Sequence, residues 1–152
     1  MTLKRFDLLF IKGKTPISRI IKKITRSPYS HVAIFLYENH IAETDWQVPL
    51  QVRHLPYRPA QYDVYRYHKD FSPEQIEKMN TFLQEHLMAE YDTWQSITNG
   101  IHLLTGLPIM NAPDRLNCSE TAARMLSTAG IDVPPGITPG ELSQLPILKR
   151  IA

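Results

Sequence analysis

At 152 residues and 17.5 kDa the chain has room for one core, so residues 1–152 are read as a single domain. Hydrophobic residues make up 43% and charged ones 21%, which excludes disorder and fibrous repeats. A net charge of +2 gives no footprint for nucleic acid, and no such partner is expected.

Asp7 to Ile11 is a short apolar run closed by Lys12-Gly13-Lys14, a first strand. Thr15-Pro16 then caps a helix whose isoleucines 17, 20, 21 and 24 recur at helical spacing, and Ser27-Pro28 stops it. The β-branched and aromatic stretch Ser30 to Tyr37 predicts a central strand. Glu38-Asn39 predicts a turn and His40 to Asp45 the returning strand of a hairpin. Further strands are expected over Gln47 to Arg53 and Tyr62 to Tyr67. Ser72-Pro73-Glu74-Gln75 opens a helix carrying Ile76, Met79, Phe82, Leu83 and Leu87, and another helix is expected over Trp94 to Leu104. Asn111 to Asn117 reads as a polar loop. Asn117 is then the cap of the last major helix, with Glu120 its capping-box partner and Gly130 just past its end. Prolines 134, 135, 139 and 146 break the remainder into a tail with one short helix. Strands first and helices later predict an α+β domain rather than a parallel βαβ fold.

No window approaches the roughly 18 apolar residues of a membrane span. The start MTLKRFDLLFIKGK carries no small-residue cleavage site, so a cytoplasmic location is the default expectation. The lone Cys118 and six scattered histidines offer no metal-ligand set, and no cofactor is expected. Gly13-Lys14-Thr15 suggests a phosphate loop, but Leu8 stands where that motif needs its first glycine. Between Asp7 and Glu38 lie six cations and no acid, so the isoleucine helix is a basic amphipathic segment. Such a helix ordinarily packs its apolar face. It also suits an anionic cell-wall or membrane surface.

Cys118 aligns with Ala122, Met125 and Ala129 at helical spacing, as a small buried hydrophobe would. Behind an Asn117 cap it would instead be the first helical residue, where free amides stabilise a thiolate and a developing oxyanion. A thiolate nucleophile wants a base, and the base an orienting acceptor. His31 opens the central strand, and Glu43 and Asp45 share one face of the next because side chains alternate with period two. Either carboxylate could hold the ring.

These pieces, taken in order, resemble a known family. Asp7-Leu8-Leu9-Phe10, Ser30-His31-Val32-Ala33-Ile34, Glu43, Tyr91-Asp92 and Asn117-Cys118-Ser119-Glu120 follow one another as in the permuted papain-like cysteine hydrolases. These are circularly permuted relatives of the NlpC-type cell-wall peptidases, and the likeness is to their YiiX-like group. The resemblance spans nearly the whole chain. It implies a permuted papain-like fold with a small antiparallel sheet packed against helices. It also implies Cys118 as nucleophile, His31 as base and Glu43 as third member. Tyr91, Asp45, Ser30 and Asn117 fall at auxiliary or substrate-binding positions.

The activity so implied is hydrolysis of an amide through a thioacyl-enzyme, with peptidoglycan peptides as one substrate class. The alternatives are a lipid acyltransferase or thioesterase of the lecithin:retinol acyltransferase-like branch, and a non-catalytic relative that binds a ligand in the same cleft. A small peptide or acyl substrate is the expected partner.

Overall fold

The computed structural model describes residues 2–45, 48–87 and 113–152; for 45, 48–49 and 113–117 it describes the backbone alone. The chain is α+β. Strands β1 (Leu8–Ile11), β2 (His31–Tyr37), β3 (His40–Asp45), β4 (Val48–His54), β5 (Tyr62–Tyr67) and β6 (Leu148–Arg150) form one antiparallel sheet. Their order is β4-β3-β2-β1-β5-β6. The helices are α1 (Pro16–Ile24), α2 (73–87), α3 (Pro113–Thr128) and α4 (Pro139–Ser143).

Alternation along the strands sorts the sheet into two faces. Leu8, Phe10, Val32, Ile34, Leu36, Ala42 and Leu50 join Met79, Leu83, Ala122, Met125 and Leu126 in the larger core. Leu9, Ile11, Ala33, Phe35, Ile41 and Val64 form a smaller cluster on the other face, covered by Leu55, Tyr57, Tyr62 and Ile151. The β2–β3 turn is two residues long, with Glu38 and Asn39 both at positive φ (40° and 63°), the backbone that matches strand twist. α3 packs across β2 and β3. Among the described residues no helix is long and apolar enough to cross a membrane.

Three expectations are corrected. The last major helix does not start behind an Asn117 cap: it starts at Pro113, so residues 113–117 are helical rather than loop. A proline at the first helical position and Asp114 in the first turn supply the start signal four residues earlier. Glu120, expected in a capping box, instead pairs with Arg124 one turn on. The tail after Pro146 contains β6, which hydrogen-bonds to β5 through Tyr67↔Leu148 and Tyr65↔Arg150; three residues are too few to show a period. Finally, α1 forms with the expected Thr15 cap, whose Oγ1 accepts the Ser18 amide at 3.1 Å, but buries none of its residues. The helix expected over Trp94 to Leu104, Tyr91, and the loop residues Asn111 and Ala112 lie outside the described residues.

Candidate active site

His31 owes its position to the entry of β2. It pairs with Ile11 across the β1–β2 ladder, and the preceding Ser30 ties that entry to the β1–α1 turn. The Ser30 amide donates to the Ile11 carbonyl at 3.0 Å, and Ser30 Oγ accepts the Gly13 amide at 3.2 Å. A Cβ on Gly13 would stand 2.2 Å from Ser18 Oγ and 2.5 Å from Ser30 Oγ, so only glycine allows this approach.

Glu43 reaches His31 from the neighbouring strand. The ladder pairs Ile34 with Ala42 and Phe35 with Ile41. Carried one step further, it sets Glu43 beside Ala33, diagonal to His31 on the same face. Such diagonal neighbours are about 7–8 Å apart at Cα, a gap that a long side chain spans. Glu43 spans it: Oε2 lies 2.8 Å from His31 Nε2. The same oxygen accepts the Tyr57 hydroxyl at 3.0 Å, and Arg53 stands 3.4 Å from Oε1. The Glu43 side chain is 2% exposed and that of His31 18%, so the pair sits under the surface with the ring reachable.

Cys118 is buried and meets the other side of the ring. With Nε2 committed to Glu43, Nδ1 is the nitrogen left for the sulfur. Burial opposes the Cys118 thiolate, yet its pKa is lowered, because the His31 charge and hydrogen bond and the amides of Val32 and Ser119 favour the anion. Val32 lies just beyond Ile34↔Ala42, where the β2–β3 ladder has ended. Burial likewise opposes the imidazolium, and the negative Cys118 and Glu43 outweigh it, raising His31 to about 10. Burial would raise Glu43, but His31, Tyr57 and Arg53 hold it below the ordinary carboxylate value. Along the row from Glu43 through His31 to Cys118, each group favours the charged form of its neighbour.

Cys118 is the sixth residue of α3, not the first. Only the first four amides of a helix lack a partner within it, so the end-of-helix source of thiolate stabilisation does not apply. The cause is the histidine and the two amides on the sulfur. The expectation that the Cys118 amide itself holds an oxyanion falls for the same reason. Ser30 is buried and structural, as described. The side chains of Asp45 and Asn117, and Tyr91 entirely, lie outside the described residues.

Two site residues escaped the sequence reading. Arg53 pairs with Ile41 in the β3–β4 ladder, which makes it diagonal to Glu43, and the period of β4 could have pointed to it. Tyr57 comes from the loop after β4, and nothing in its neighbours marks it. Neither a protein-family model nor a curated protein sequence matches the chain.

Proposed function

We propose that the chain is a cysteine hydrolase of the permuted papain-like type, acting on an amide by acyl transfer through Cys118, His31 and Glu43. The observation that carries this reading is the ring of His31, held at once by a buried carboxylate and by the only thiol in the chain. A carboxylate that merely solubilised a strand edge would not be 2% exposed and aimed at a histidine.

In the resting site the proton resides on His31 and Cys118 is a thiolate. Sulfur attacks the substrate carbonyl carbon, and the C=O π pair moves to oxygen. Collapse of this tetrahedral species expels the amine, which takes the Nδ1 proton of His31. The thioester that remains is attacked by water as neutral His31 accepts a water proton. Sulfur leaves as thiolate, the acid is released and His31 is charged again. Glu43 keeps the proton on Nε2 throughout, which reserves Nδ1 for the reacting groups. No cofactor enters any of these steps.

Lipid ester or thioester acyl groups are the second reading, favoured by the exposed isoleucines of α1 beside the His31 end of β2. Intact-mass analysis of the protein with muropeptides in one arm and phospholipids in another tests both. The expected result is an added acyl mass on Cys118 in one arm, absent in Cys118→Ser. No adduct in either arm, with iodoacetamide alkylation rising only above the free-thiol pKa of about 8.5, overturns acyl transfer.

A further inference from the structure

α1 is built as no packed helix should be. None of its nine residues is buried, and Ile17, Ile20 and Ile24 are 45%, 53% and 75% exposed. At about 100° per residue the four isoleucines fall within an arc of roughly 100°. Lys23 flanks that arc, about 60° from Ile20, while Arg19 and Lys22 lie about 100° beyond its two edges toward the opposite face, with Lys14 and Arg26 beyond the two ends of the helix. None of these five cations forms an ion pair with a described residue, whereas Lys12, just upstream, is committed to Asp63 at 2.6 Å. The sequence supplies no acid between Asp7 and Glu38. An exposed apolar ridge therefore stands with Lys23 beside it and Lys14 and Arg26 near its ends, none of them paired with a described residue. It lies at the end where Ile11 pairs with His31.

We propose that α1 lies in the plane of an anionic lipid surface, its isoleucines among the acyl chains and its cations against headgroup phosphates. A second copy of this chain is the poorer occupant, because a two-fold contact through α1 would set five cations against the same five. A protein partner is also disfavoured. Three exposed isoleucines cover much less than the ~800 Å² per side of a standard interface, while a bilayer requires no matching shape. Lys23 beside the ridge and Lys14 and Arg26 near its ends suit a sheet of phosphates, and long Lys and Arg stems reach the headgroups while the ridge is immersed. This inference rests on α1 alone and holds whether or not Cys118 transfers acyl groups.

The test is co-sedimentation of the full chain with vesicles of phosphatidylcholine alone or with about a third phosphatidylglycerol. Binding to the anionic vesicles is expected, weakened about tenfold or more between 50 mM and 500 mM salt. Ile20→Glu with Ile24→Glu should abolish it, and Lys22→Glu with Lys23→Glu should remove the anionic preference. Circular dichroism checks that both remain folded, which their exposure favours, and Ile20→Ser with Ile24→Ser serves if the glutamates do not fold. A solvatochromic label on Ile24→Cys, in a Cys118→Ala chain, should shift to the blue on anionic vesicles only. Equal binding to neutral vesicles, binding untouched by the isoleucine variants, or no binding would each overturn the proposal. So would a dimer in free solution that the isoleucine variants disperse, since the ridge would then belong to a second copy.

Discussion

Glu43 on β3 and Asp63 on β5 are both buried, both ionised more readily than usual and both crowded with partners, yet they are different devices. Asp63 meets Lys12 at 2.6 Å, Arg150 at 3.1 Å and the Tyr29 hydroxyl at 2.7 Å. Burial and hydrogen bonding raise the Tyr29 pKa, so it remains a neutral donor. Asp7, held on both oxygens by Arg66 at 2.7 Å, is another of this kind. Glu43 differs because its nearest partner can lose its proton and touches a thiol. Burial and full partnering are therefore properties of structural carboxylates too. What distinguishes a site is a titratable partner that passes the carboxylate's influence to a reactive atom.

The sharpest way to break this comparison is at the reactive atom. Cys118→Ser should lower turnover of the acyl substrate by at least ~10³-fold in protein that remains folded by circular dichroism. Glu43→Gln should come next: a triad carboxylate has been worth about 10⁴-fold in another protein, and a loss of about 10²–10⁴-fold is expected here. Asp63→Asn should give the reverse pattern, with turnover of the folded protein within a few-fold of normal and stability lower by about 1–3 kcal/mol in urea titration. Asp45→Asn, if Glu43 is the orienting residue, should leave turnover near normal; a loss as steep as that of Glu43→Gln would reassign the third member.

Titration sharpens the same contrast. His31 is raised above its unfolded value, so the stability from its charged form is complete below about 6.5 and is lost as pH rises through about 10. The Cys118 thiolate, lowered from the usual thiol value, should make alkylation fast already below pH 8.5, and turnover should fall on an alkaline limb near 10. Glu43 and Asp63 are lowered, so their contributions are present above the ordinary carboxylate range and vanish as pH falls through their folded values. A kcat profile that rises with the free-thiol pKa would contradict the ion pair. The smallest effect belongs to Tyr57→Phe, which removes one of the hydrogen bonds on Glu43. A three- to tenfold loss is expected, corresponding to about 1 kcal/mol.

How much of this was legible in the sequence follows from range. The two-residue turn at Glu38-Asn39 and the period of two put Glu43 and Asp45 on one face of the strand beside His31, because both signals act over a dozen residues; the choice of Glu43 between them came from the family resemblance alone. Arg53 and Tyr57 depend on where β4 and its following loop fold back, which no local pattern encodes. Asn117 looked like a cap because Asn and a glutamate three residues later make a standard signal. Pro113 and Asp114 compete with it, and packing of α3 on β2 and β3 favours the longer helix. The exposed face of α1 was the opposite failure: the period was right, but amphipathicity says only that a face is apolar, not what covers it.

The register of β2 on β3 also bears on when the site comes into being. His31 and Glu43 are 12 positions apart within a hairpin, whereas His31 and Cys118 are 87 apart (118 − 31). Loop closure is cheap for the first contact and dearer for the second, and local hairpins form within about 1–10 μs. The oriented base should therefore assemble early, with the sulfur joining only when α3 docks. On refolding, pulsed alkylation at pH 6 should find Cys118 sluggish until after the sheet's circular dichroism has appeared, and rapid thereafter. Nucleophilicity, on this view, is a late product of the folding pathway, acquired with a long-range contact rather than carried by the chain from synthesis.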